Sequence, residues 1–199
     1  MPYFYQQAEF LKSAPNLKAC PPDTGREIAF AGRSNAGKSS ALNVLTNQVK
    51  LSRISKTPGR TQMLNFFTLP DDKRLVDLPG YGFAKVPAKI KAKWQEALQE
   101  YLQDRQSLSG VILLMDIRHP LTKHDVAMLE WSQYNLPIHI LLTKSDKLKF
   151  GAAKNSFLSV KKQLERSFPN TTISMFSALK KTGVDDLQKI MNTFLDRDV

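Results

Sequence analysis

The chain has 199 residues, 42% hydrophobic and 24% charged, which suits one globular domain and excludes disorder, collagen-like repeats and coiled coil. Lys and Arg number 29 against 18 Asp and Glu, and the net charge of +11 suits a polyanionic partner: nucleic acid, an anionic membrane surface or a phosphorylated ligand. The single cysteine, Cys20, excludes an intrachain disulfide framework, and the longest apolar run, Val111–Met115, falls far short of the roughly 20 residues that span a bilayer.

At the start of the chain, Met1–Gln7 has neither the basic start nor the apolar core of a signal peptide, so a cytoplasmic location is expected; a monomer is expected as well. Residues 1–24 read as an N-terminal extension packing on a domain that covers 25–199. Short apolar runs then alternate with longer helical patterns, the mark of an α/β fold with a mostly parallel sheet. Strands are expected at Ile28–Ala31, Leu64–Leu69, Leu75–Asp77, Val111–Asp116, Ile138–Thr143 and Thr172–Phe176, six in all. Pro70-Asp71-Asp72-Lys73 is a short polar turn that makes the second and third a hairpin, so one antiparallel strand is expected at the sheet edge.

Helices are expected on both faces. Ser40–Leu45 reads as the first. Between Pro87 and Arg105, Ile90, Trp94, Ala97, Leu98, Tyr101 and Leu102 recur at helical spacing, with Pro87 in the first turn. Thr122 followed by Asp125 resembles a capping box, with Asp in place of Glu, opening a helix through Tyr134. Phe157, Val160, Leu164 and Phe168 mark another stripe, and Leu187, Ile190, Met191, Phe194 and Leu195 the last; all read as core. Gln48–Thr61 carries few large apolar residues and is expected to be a mobile loop.

Directly after the first of these strands comes Gly32-Arg33-Ser34-Asn35-Ala36-Gly37-Lys38-Ser39, a complete G-x-x-x-x-G-K-S string between a strand and a helix. Glycines let successive backbone N–H groups turn toward bound phosphates, and the helix N-terminus adds its positive end. Lys38 would neutralise the β- and γ-phosphates, and Ser39 would ligate Mg²⁺. A phosphate cradle does not name the base. Thr143-Lys144-Ser145-Asp146 does so, because the Asp146 carboxylate can accept from both N1–H and the 2-amino group of guanine, a donor pair that adenine lacks. Lys144 would lie along the base, and Ser177-Ala178-Leu179 offers a backbone N–H to guanine O6. Asp77-Leu78-Pro79-Gly80 follows the third strand, where Asp77 can hold a Mg²⁺-bound water and the Gly80 amide can sense the γ-phosphate. Taken alone, that string is also an ordinary turn. The Thr57–Thr61 loop supplies the second protein ligand of Mg²⁺, with Thr61 favoured because it lies just before the second strand.

These motifs resemble the TRAFAC-class GTPases. Gly32–Ser40, Lys56-Thr57-Pro58-Gly59-Arg60-Thr61-Gln62, Asp77-Leu78-Pro79-Gly80-Tyr81-Gly82, Met115-Asp116-Ile117-Arg118-His119-Pro120 and Thr143–Asp146 are similar to the EngB family over nearly the whole chain. The resemblance implies a Ras-like P-loop NTPase fold with six strands, GTP and GDP binding with Mg²⁺, and a role in assembling the large ribosomal subunit and in normal cell division and septation. The nucleotide site it implies runs through Gly32–Ser40 (Arg33, Ser34, Asn35, Ala36, Gly37, Lys38 and Ser39 between them). It continues through Gly59, Arg60, Thr61, Gln62 and Met63, then Asp77, Leu78, Pro79 and Gly80. Thr143, Lys144, Ser145, Asp146, Phe176, Ser177 and Ala178 complete it. Lys38, Asn35 and Thr61 are the catalytic candidates, and Ser39, Thr61 and, through water, Asp77 the metal candidates.

Ras-like enzymes place a Gln after the D-x-x-G glycine to orient water; here Tyr81 stands there, and slow intrinsic hydrolysis is expected. GTP is expected to order the 48–62 and 77–86 loops. Asn35 resembles the asparagine of potassium-activated relatives, though Asn also suits a turn on its own. Lysines near both loops and near the base end (Lys56, Lys85, Lys89, Lys147, Lys149, Lys180 and Lys181 among them) make ribosomal RNA the expected polyanion. The competing readings are an ATP-dependent P-loop kinase and a non-catalytic RNA-binding scaffold holding structural GDP.

Overall fold

The structure, a computed structural model, describes residues 4–49, 51, 63–81, 88–132 and 136–196, the side chains of 88–91, 93 and 94 excepted. Among them, β1 (Glu9–Ala14), β2 (Arg26–Gly32), β3 (Leu64–Leu69), β4 (Lys73–Asp77), β5 (Leu108–Asp116), β6 (Ile138–Thr143) and β7 (Thr171–Met175) form one sheet in the order β1-β3-β4-β2-β5-β6-β7. The largely apolar strands β5 and β6 are buried at every position, as strands covered on both faces must be. Ala29, Ala31, Val111 and Leu113 point to a layer containing α2 (Ala88–Asp104), α3 (Lys123–Ser132) and α4 (Phe150–Ser167). Ile28, Phe30, Ile112 and Leu114 point the opposite way, to α1 (Lys38–Thr46) and α5 (Val184–Leu195). No helix among the described residues is long and apolar enough to cross a membrane.

The expected six strands become seven. The additional strand is β1, which pairs antiparallel with β3, so β3 is the one reversed strand but lies inside the sheet instead of at its edge. A bulge between Phe10 and Lys12 puts Leu11 outward, 42% exposed, and erases the period-two alternation by which a strand is recognised. Phe10 still packs edge-on against Phe67, with centroids 5.9 Å apart. The hairpin turn forms as read, with Asp71 and Asp72 both at positive φ (59° and 51°), the geometry that matches strand twist. The loop expected over Gln48–Thr61 lies outside the described residues from 52 onward and at 50.

At the end of the sheet opposite the G-x-x-x-x-G-K-S loop, the fully buried Glu27 accepts from Arg74 (3.2 Å), Arg105 (2.6 and 3.1 Å) and the Tyr101 hydroxyl (3.0 Å). The two guanidinium groups also donate to the carbonyls of Pro21, Pro22 and Thr24, fastening the 21–24 segment beneath the sheet. Every group in this knot is paired, and breaking such a knot by removing one charge costs about 3–5 kcal/mol.

His139 on β6 is buried between the Thr172 and Ser174 hydroxyls of β7, at 2.7 and 2.8 Å. Burial pushes its imidazole down from 6.5 to about 4. Between these two values the unfolded chain binds a proton that the folded chain does not, so stability is whole above pH 6.5 and falls as acid is added, by up to about 3 kcal/mol. Urea denaturation across pH 4 to 7 is expected to show a flatter stability profile for His139→Gln than for the wild-type chain.

Candidate functional site

The turn from β2 into α1 is set by two left-handed residues, Asn35 (φ 65°) and Gly37 (φ 97°). A Cβ at Gly37 would meet Thr143 only at ordinary contact distance, so it is the left-handed backbone that calls for glycine here. The first α1 bond of this turn runs from the Ala41 amide to the Gly37 carbonyl, so the amides of Lys38, Ser39 and Ser40 have no intrahelical acceptor. These three residues line a cleft of about 360 Å³ together with Arg33, Ser34, Asn35, Gly37, Asn65, Asp77, Leu78, Pro79, Gly80 and Lys144. The Lys38 ammonium is ion-paired to the buried Asp77 carboxylate at the C-terminal end of β4. Unpaired amides, a cation and hard oxygen donors on one wall are the chemistry of a polyphosphate and a Mg²⁺ ion.

The D-L-P-G string is joined to this turn through its successor. The Ser34 amide donates to the Tyr81 carbonyl (2.9 Å), and the Tyr81 amide to the Gly32 carbonyl (3.4 Å). The Tyr81 ring is buried, and its hydroxyl donates to Asp125 at 2.8 Å. Asp125 in turn accepts from the Thr122 amide (2.9 Å) and hydroxyl (2.7 Å), which supplies the carboxylate half of the capping box at the start of α3. Burial and the neighbouring carboxylate push the phenol well above its usual value, so it stays a proton donor to Asp125.

A second junction ties the G-K-S turn to the end of β6. The Thr143 hydroxyl donates to the Ala36 carbonyl (2.5 Å), and the Lys144 ammonium to the Asn35 carbonyl (2.6 Å). Lys144 also pairs with Asp116 at 2.9 Å, which Arg118 grips with its Nε (2.9 Å) and terminal nitrogen (2.6 Å). Burial opposes ionisation of Asp116, but the Arg118 and Lys144 bonds prevail and hold it below the usual carboxylate range. Outside the cleft, Asp146 accepts from the Ser177 hydroxyl at 2.6 Å, the leading reason that its carboxyl is also lowered. The Ser145 amide donates to the Phe176 carbonyl, closing the two loops on each other.

Most residues read as site candidates thus converge. Gly59, Arg60, Thr61 and Gln62 lie outside the described residues, and Met63 is half-buried next to the start of β3. Phe176 differs in kind: its side chain is buried in the α1–α5 layer, and only its backbone meets the Ser145 loop. One residue escaped the reading of the motifs. Asn65 lines the cleft opposite Asp77 in the β3–β4 register, and the signal was a lone amide in the apolar strand LNFFTL. Asp116 and Arg118 stand in the M-D-I-R-H-P string without a role read for Asp116, and the structure pairs them at the end of β5.

A phosphate turn between a parallel strand and a helix, laced to an acid-bearing loop two strands away, defines a P-loop nucleotide-binding domain of the GTPase class. The family described as 50S ribosome-binding GTPase matches residues 27–144. The probable GTP-binding protein EngB of Hydrogenovibrio crunogenus is 52% identical over 193 residues, 96% of this chain and 91% of that protein. The chain belongs to the EngB family of GTP-binding proteins, and it is a GTPase with a guanine nucleotide as its ligand. Among solved structures, the crystal structure of a probable GTP-binding protein EngB superposes with a TM-score of 0.71 at 21% identity, over 86% of this chain and all of that one. Era in complex with MgGDPNP and nucleotides 1506–1542 of 16S ribosomal RNA superposes at 0.64 and 24% identity, over 87% of this chain and 58% of that chain. Both share the fold.

Because the Tyr81 hydroxyl is committed to Asp125, it is not a water-orienting group. Tyr81→Phe is expected to leave GTP turnover unchanged in a phosphate-release assay while lowering unfolding stability by about 1–2 kcal/mol in denaturant titration.

Proposed function

We propose that the protein is a slow GTPase that works as a nucleotide-dependent switch during assembly of the large ribosomal subunit, with normal cell division and septation depending on that role. The observation that carries the switch is the two-way backbone bonding of Tyr81 to Gly32 and Ser34, which makes the root of the D-L-P-G-Y segment part of the phosphate turn. A change in phosphate occupancy at the amides of Lys38, Ser39 and Ser40 would then be felt at the 77–86 loop, and in this proposal the 48–62 loop is ordered through the γ-phosphate and Mg²⁺. The ribosomal part is supported by the family description and by the +11 charge.

In this reading Lys38 leaves Asp77 for the β- and γ-phosphate oxygens, and Ser39, Thr61 and, through water, Asp77 hold Mg²⁺. The ion supplies neutralisation of charge that builds on those oxygens. Gly80 offers its amide to the γ-phosphate. Lys144 lies against the base, Asp146 accepts from N1–H and the 2-amino group, and the Ala178 region donates to O6. The Tyr81 side chain, which follows Gly80, is committed to Asp125 and does not position the attacking water, which accounts for a slow intrinsic rate.

Asp146→Asn is expected to weaken GDP by about 10- to 100-fold and to improve xanthosine diphosphate, measured by calorimetry; unchanged GDP affinity would remove the base assignment. Asn35 lines the cleft and is proposed to help hold a K⁺ ion. Faster GTP turnover in K⁺ than in Na⁺ at matched ionic strength is the expected result, and equal rates would reduce Asn35 to its turn conformation.

A further inference from the structure

Helix α4 follows the Lys144–Asp146 loop directly and packs its inner residues Ala153, Val160 and Leu164 into the core. Its outer positions carry an uncommon combination. Phe150 is 81% exposed and Leu158 is 49% exposed, with Lys154, Lys161 and Lys162 exposed between and beyond them. Their spacing of four, eight and eleven or twelve residues from Phe150 sets them on one stripe about 18 Å long. A phenylalanine in the first turn of a helix, left in water, does nothing for folding. The charge around it has one sign: Lys147 and Lys149 precede it, Arg166 follows, and the acid at Glu165 is matched by Lys161 at 3.9 Å. The neighbouring loop repeats the pattern with Leu179, 74% exposed, beside the exposed Lys180 and Lys181. That loop is joined to the one before α4 by the bond from Ser177 to Asp146.

Isolated rings interleaved with ammonium groups are how proteins hold unpaired nucleic acid: a base stacks on the ring, and the flanking phosphates meet the cations. A protein partner fits less well. Phe150 and Leu158 lie two turns apart and form no contiguous apolar patch for another protein's side chains, whereas a stacked base needs a single ring face. The stripe is also separate from the nucleotide cleft, whose lining includes no residue of α4. We propose that the outer face of α4 docks single-stranded RNA, with a base stacked on Phe150 and phosphates on Lys154, Lys161 and Lys162. This deepens the large-subunit reading above and rests on it.

The test uses the full chain, with labelled oligo(U) and large-subunit precursor particles as probes, and with GDP affinity and basal GTP hydrolysis as controls expected to be unchanged. Phe150→Ala is expected to weaken oligo(U) binding about tenfold, while Phe150→Trp retains binding and its fluorescence is quenched on titration. Joint Lys154→Gln, Lys161→Gln and Lys162→Gln is expected to lower the slope of log affinity against log salt by about 2. If the wild-type chain binds the particles and these variants bind RNA and particles equally well, the docking face is wrong and the ribosomal reading stands. If the wild-type chain binds particles in no nucleotide state, the ribosomal reading fails, and this inference fails with it.

Discussion

One ammonium group holds the working end of this molecule together. Lys144 stands between the carbonyl of Asn35 on the phosphate turn and the carboxylate of Asp116 at the end of β5. It acts beside the Thr143 hydroxyl, which donates to the Ala36 carbonyl, and the two bonds tie the turn after β2 to the loop after β6. With it, the distance between the phosphate grip and the base-reading acid is set by a charged contact in a partly buried setting, where such contacts are stronger than in water. Arg118 keeps Asp116 ionised, so the anchor of the anchor is itself secured.

The sheet separates this end from its opposite, where Glu27 collects Arg74, Arg105 and Tyr101. The two ends use charge differently. Around Glu27 every partner is spent on neighbours, and the result is rigidity. In the cleft the charges of Lys38 and Asp77 face each other but also face open space, and their pairing can be exchanged for a ligand's oxygens. Between them, β2 and β5 run buried and parallel, carrying the phosphate turn and Asp116 out to the same edge.

Much of this was legible in the residues. The central strands announced themselves as apolar runs, and three of the five helices as 3.6-residue stripes, because burial on one or both faces leaves a periodic trace. The G-x-x-x-x-G-K-S and T-K-S-D strings were equally plain, since their chemistry demands particular residue types in fixed order. What stayed hidden depends on relations that spacing does not encode. The bulge in β1 broke the alternation that would have shown a strand. The role of Asp116 exists only once β5 and β6 lie side by side. Tyr81 could be read as a poor substitute for glutamine, but not as a donor to Asp125, 44 residues on. Phe176 fell beside the right loop, yet strand alternation turned its ring into the core.

The seam between β1 and β3 has a practical meaning for anyone handling the protein. The Ser13 hydroxyl donates to the Asn65 amide oxygen at 2.7 Å, and Asn65 sits in the wall of the phosphate cleft. Tyr5, nearer still to the amino end, is fastened to Asn192 on the last helix. Loss of β1 by trimming at the front of the chain would therefore remove a partner of a residue in the wall of the ligand chamber, together with the bond that fastens Tyr5 to the last helix.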